Sequence, residues 1–215
     1  MRSLQAALTT HPFDVGTRRL GDLLLFSVTA AELAMLIRLT PTFTFLDWIY
    51  LWQHLIVLGL AFTRRAPRAQ DHSGRSAIAV IVSYAYPYGQ IVYLGWRPGE
   101  PVSQTAGLVL VTIAAVLSLA GLLSLGTSFG VRPALRTLVA RGPYQFVRHP
   151  IYAAYVLSDI GYNLQEWNLG TLLLTFAGWT SLFYRIDAEE RVLSRDESWL
   201  RYVRTVPSRL IPGVW

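Results

Sequence analysis

The chain contains no cysteine and no lysine, and only 15% of its 215 residues are charged. Without cysteine there can be no disulfide, thiolate metal ligand or cysteine nucleophile. Without lysine, Schiff-base chemistry is excluded as well. No G-x-x-x-x-G-K-[ST] or G-x-G-x-x-G phosphate loop occurs, so a soluble nucleotide-binding fold is not expected. The four histidines are scattered at His11, His54, His72 and His149 with no ligand spacing, so no metal site is expected. The sequence instead has apolar length: 53% of residues are hydrophobic and mean hydropathy is positive. That balance predicts an all-α, polytopic membrane protein, a single integral membrane domain over residues 1–215.

A helix needs about 20 apolar residues to cross a bilayer. Six stretches qualify, roughly 20–38, 44–63, 76–95, 104–126, 150–166 and 168–186. The first lacks a small-residue cleavage site and is expected to be a retained span. The fifth carries Asp159, Tyr162 and Asn163 and is the least apolar. Pro87, inside the third, is expected to kink it. Only Glu166-Trp167-Asn168 separates the last two, which predicts a tight helical hairpin. The net charge of +6 comes from arginines spread over short loops rather than from one basic domain, so orientation in the membrane explains it better than nucleic acid does. With both termini cytoplasmic, only Arg38 and Arg97 fall on the outer side. The sixth span continues past the membrane as a charged helix, and the tail around Trp199 and Tyr202 is expected to lie along the interface.

The polar passage Arg141-Gly142-Pro143-Tyr144-Gln145-Phe146-Val147-Arg148-His149-Pro150-Ile151-Tyr152 stands between these apolar runs. Pro150 suits the first turn of a helix, where its missing N–H costs nothing. The free N–H groups and dipole of that helix start, with Arg148 and His149 beside them, would make a site for an anion. Helical spacing puts His149, Tyr152, Val156, Asp159 and Asn163 on one face. Asp159 and Asn163 are substrate or proton-relay candidates, because an ionisable group within a membrane is costly. The alternative is that both only hydrogen-bond a neighbouring helix. On the sixth helix Arg185 and Glu189 are spaced to pair, and the connection to the fifth brings them and Glu190 to the surface that carries Arg148 and His149. Glu32 and His54, each mid-span, are expected to be structural partners.

The combination of Gly142-Pro143-Tyr144, Arg148-His149-Pro150-x-Tyr152 and Arg185-Ile186-x-x-Glu189-Glu190, followed by Tyr202 and Pro207, resembles the isoprenylcysteine carboxyl methyltransferase family, which is related to membrane phospholipid methyltransferases. The resemblance covers about the last 90 residues. Hydropathy places four spans in 1–126, while the resemblance implies a catalytic region over 127–215 with a cofactor pocket, which the arginine distribution puts on the cytoplasmic side. The resemblance further implies methyl transfer from S-adenosyl-L-methionine to a lipophilic acceptor entering from the bilayer, an isoprenylcysteine-like carboxylate or a phospholipid amine. Residue by residue, Gly142, Pro143, Tyr144, His149, Tyr152 and Glu190 match cofactor positions, and Arg185 and Glu189 match positions near the reacting groups; Arg148, beside the helix start, is a further cofactor-binding candidate from its place alone. A sterol-type nicotinamide-dependent reductase and a non-enzymatic membrane scaffold or transporter are the rival readings.

Overall fold

The computed structural model describes residues 45–63, 65–71 and 73–214, with a few positions between 26 and 38. The expected first span lies largely outside the described residues, and Glu32 wholly so. Among the described residues from 45 on, six α-helices follow one another: α1 (Phe45–Thr63), α2 (Gly74–Trp96), α3 (Gln104–Leu125), α4 (Pro150–Gln165), α5 (Leu169–Leu193) and α6 (Glu197–Thr205). Expected spans two to five agree with α1 to α4 to within two residues, and the sixth continues to Leu193 as the charged extension predicted.

The helix starts follow from their capping residues. Ser73, Ser103, Asn168 and Asp196 each turn a side-chain oxygen onto a free N–H of the first turn. Pro150 opens α4 at its first position, as its chemistry favours. Helix α2 runs unbroken through Pro87. Between α3 and α4 the chain makes two short 3-10 turns, Gly126–Ser128 and Gly142–Gln145. It also forms one element absent from an all-helical expectation. Strand β1 (Ala69–Gln70) pairs antiparallel with β2 (Ala134–Leu135), in the register Ala69↔Leu135 and Gln70↔Ala134. Two residues per strand carry too little periodicity to be legible in a sequence.

Among the described residues, α2 and α3 are long and apolar enough to cross a membrane. Helices α4 and α5 are joined by residues 166–168, but each leans mainly on an earlier helix, α4 on α3 and α5 on α2. Small residues decide those pairings. A Cβ on Gly107 would lie 2.6 Å from the Gly161 carbonyl oxygen, and one on Gly161 would lie 2.8 Å from that of Gly107. Backbones this close leave no room for a larger side chain, the usual way apolar helices associate where lipid gives no hydrophobic drive. On the other pair, the Tyr86 ring of α2 fills the space a Cβ on Gly178 would occupy, 2.8 Å away. Helix α4 and α5 meet instead through side chains, which leaves a wedge at the end where α5 extends and α6 folds back.

Candidate active site

His149 and Tyr152 enter the wedge from the first turn of α4, and Arg185, Glu189 and Glu190 enter it from the far end of α5. The His149 and Tyr152 rings are stacked, with centroids 5.6 Å apart and planes 19° from parallel. The Tyr152 hydroxyl donates a short hydrogen bond to Glu189, and His149 Nδ1 stands 3.7 Å from the other oxygen of that carboxylate. The i,i+4 pair expected between Arg185 and Glu189 does not form, because Glu189 is turned to Tyr152. Arg185 instead lies over the Tyr152 ring, 5.2 Å from its centroid, and donates from Nη2 to the Val131 carbonyl at 3.1 Å. Its side chain is 5% exposed, and its Nε has no partner.

Glu190, one residue on, faces a different set of groups. Its carboxylate accepts from Arg148 Nε at 2.8 Å, contacts His149 Nε2 at 3.1 Å and accepts from Arg209 at 2.8 and 3.0 Å. Burial pushes its pKa up, but the hydrogen bonds and charges of His149 and Arg148 outweigh burial and hold it at about 2. The carboxyl-terminal segment is drawn in by the same residues. Arg148 Nη1 donates to the carbonyls of Val206 (3.0 Å) and Pro207. The backbone N–H groups of Arg148 and His149 donate to the Ser208 and Arg209 carbonyls, both at 2.9 Å. These two N–H groups, expected to help anchor an anion, are therefore taken by the tail.

One open cavity gathers most of this apparatus. Tyr144, Arg148, His149, Tyr152, Arg185 and Glu189 line it, together with Phe129, Arg132, Trp199 and Tyr202 from the flanking segments. The Tyr202 hydroxyl donates to the Tyr144 carbonyl at 2.6 Å, tying α6 to the turn before α4. Burial raises the pKa of Tyr144, and it raises that of Tyr202 to about 12, so both remain neutral phenols at physiological pH. Gly142 and Pro143 do not reach the cavity. Gly142 sits at φ +58° against the Ser124 hydroxyl, a backbone shape and a fit that only glycine allows, and so positions Tyr144.

Asp159 and Asn163 are not brought to the cavity. Asp159 accepts from the Tyr86 hydroxyl (2.9 and 3.1 Å) and from Trp179 Nε1 (2.8 Å). Asn163 donates to Thr175 Oγ1 at 2.8 Å. Asp159 thus ties α4 to α2 and α5, and Asn163 ties it to α5, the neighbouring-helix alternative. His54 bonds the Tyr50 carbonyl of its own helix turn at 2.6 Å. Sequence reasoning missed Arg132 and Arg209, because each reaches the site from a segment with no periodic signal.

An unpartnered guanidinium nitrogen in a cavity wall of rings, four arginines and one carboxylate fits a ligand that carries an aromatic base and charges of both signs. S-adenosyl-L-methionine is such a ligand, with its adenine, ammonium and carboxylate. Comparison with known proteins points the same way. Residues 107–195 match the model of the isoprenylcysteine carboxyl methyltransferase (ICMT) family. Protein-S-isoprenylcysteine O-methyltransferase B of Arabidopsis thaliana is 24% identical over 140 residues, which is 61% of this chain and 71% of that protein. Protein-S-isoprenylcysteine O-methyltransferase of Xenopus laevis is 32% identical over 118 residues, half of this chain but only 41% of that protein. A solved eukaryotic intramembrane Ras methyltransferase, ICMT, aligns over 95% of this chain and 88% of its own at 20% identity, with a TM-score of 0.46. Over residues 107–195 the chain is thus similar to the isoprenylcysteine carboxyl methyltransferase family, whose two named relatives are O-methyltransferases.

Proposed function

We propose that this chain methylates the carboxylate of a prenylated cysteine that reaches the cavity from the bilayer, in a multi-pass protein whose active site faces the cytoplasm. The single observation that carries the reading is Arg185: a buried cation in the cavity wall, with one N–H unclaimed by protein. Burying a cation beside one carbonyl and a ring face costs stability, and an unclaimed donor adds to that cost. Such a group is well placed to take an anionic acceptor. The names of the two relatives specify a prenylcysteine O-methylation, and the one-sided arginine distribution supports the orientation. The match of residues 107–195 to a methyltransferase family supports this reading over the reductase and scaffold readings.

The bound cofactor supplies a methyl group already activated on a sulfonium. The protein's own residues position and shield. Arg185 orients the acceptor carboxylate, which needs no proton removed before it attacks. Glu189, held by Tyr152 and flanked by His149, is available to the cofactor's ammonium. Trp199, Tyr202 and Tyr144 exclude water from one side, and positioning of this kind can supply most of the acceleration. Glu190, whose lone pairs go to Arg148, His149 and Arg209, serves the site by holding its wall.

The test is to incubate membranes containing the protein with S-adenosyl-L-methionine labelled in the methyl group and to identify the product. The expected label is on a lipophilic cysteine derivative and is released as methanol by alkali, as a methyl ester requires. An alkali-stable label on a phospholipid amine would overturn the acceptor assignment.

A further inference from the structure

The proposed reaction brings two carboxylates into one cavity, the cofactor's methionyl group and the acceptor, while Arg185 offers one free donor edge. The other arginines lining the cavity are Arg132, Arg136 and Arg148. Arg148 is committed to Glu190 and the tail carbonyls. Arg136 donates from Nε to the Arg65 carbonyl at 3.1 Å and lies against Gly130. Arg132 makes no hydrogen bond, ion pair or ring contact with any described residue, and it is half-buried.

The backbone beneath Arg132 is fixed on both sides. Val131 is buried against Leu122 and Phe129, and its carbonyl accepts from Arg185. Pro133 is fully buried, and its carbonyl accepts from the Asp71 N–H at 3.0 Å. A residue that precedes proline is confined to extended backbone. Arg132 therefore stands on a fixed backbone with a guanidinium that makes no hydrogen bond or ion pair among the described residues, although its charge is felt at Asp71, at the wall of a cavity that must accept anions. The Val131 carbonyl also links it, through one residue, to Arg185.

We propose that Arg132 is a second carboxylate-binding residue of this cavity, taking either the methionyl carboxylate of the cofactor or the carboxylate of the acceptor; the proposal rests on the methyltransferase reading of the site. An arginine fork holds a carboxylate with two parallel charged hydrogen bonds, so its loss is expected to cost about tenfold or more in affinity. Lysine in its place keeps the charge without the fork and should lose part of that.

Wild-type protein, Arg132→Gln and Arg132→Lys are titrated calorimetrically with S-adenosylhomocysteine and with decarboxylated S-adenosylmethionine, and turnover is measured against N-acetyl-S-farnesylcysteine. If Arg132 holds the methionyl carboxylate, R132Q weakens S-adenosylhomocysteine binding about tenfold or more and leaves the decarboxylated ligand unchanged, with R132K intermediate. If it holds the acceptor, R132Q leaves both titrations unchanged and raises KM for the prenylcysteine by a similar factor. Changes below about twofold in every arm overturn the proposal while the methyltransferase reading stands. Wild-type protein that binds no S-adenosylhomocysteine overturns that reading, and this proposal with it.

Discussion

A guanidinium only 5% exposed, with no carboxylate partner and one idle N–H, is an unfavourable thing to keep for stability alone. Methionine approximates the stem of Arg185 and removes the charge. Arg185→Met is therefore expected to leave the apparent Tm in detergent unchanged or higher, while kcat/KM falls by about 100-fold, the order of a lost charged contact. A structural Arg185 would lower both together. Glu190 makes a second prediction at this scale. Its folded pKa of about 2 lies below the ordinary value of 4.5, so its contribution is fully present above pH 4.5. That contribution is lost as pH falls from about 4.5 toward 2. Glu190→Gln should lower stability at neutral pH and flatten its acid dependence in that window, as read by thermal unfolding at several pH values. The sequence motif singled out Arg148, His149 and Glu190. It did not reveal that Arg209 completes the set, because residues 19 apart, with the end of α5 and Pro207 between them, share no period.

At the scale of elements, the seams between helices are decided by atoms too small to stand out in a sequence. Gly107 and Gly161 oppose each other across α3 and α4, where a Cβ on either meets backbone oxygen. Backbone cannot swing aside as a side chain can, so Gly161→Leu should destabilise by about 1–3 kcal/mol and displace α4, with its His149 and Tyr152. Denaturation in detergent and S-adenosylhomocysteine binding would both register the change. Asp159 is the polar counterpart on the other side of α4. Both donors that face it, Tyr86 Oη and Trp179 Nε1, need an acceptor, and Asp159→Asn presents an amide N–H to one of them. The expected outcome is a lower apparent Tm with KM for both substrates within about twofold, whereas a proton relay through Asp159 would show as a fall in kcat. The sequence reading left both roles for Asp159 open because helical spacing tells which face a residue is on and not what stands opposite.

Over the whole molecule, the cavity is lined by pieces remote in the chain, the loop that holds β2, the start of α4, the far end of α5 and α6, and the carboxyl-terminal tail braces the start of α4. The tail carbonyls of Pro207, Ser208 and Arg209 satisfy donors of Arg148 and His149. Removal of residues 207–215 leaves those buried donors unmet and Glu190 short of one cation. It should weaken S-adenosylhomocysteine binding by tenfold or more while the helical far-ultraviolet signal is retained, as circular dichroism and calorimetry would show. What the sequence determined by itself was what lies in local pattern: the apolar helices and their ends, through hydropathy, prolines and capping side chains, and the family resemblance, through the Arg148-His149-Pro150 and Glu189-Glu190 motifs. Those signals survive because each depends on residues within a few positions of one another. Tertiary structure alone decided which partner each motif residue met. Glu189 and Glu190 are adjacent in sequence, yet successive helical positions point about 100° apart, so one turns to Tyr152 and the cavity and the other to Arg148, His149 and Arg209. The division of labour between two identical carboxylates is a property of the groups packed around them.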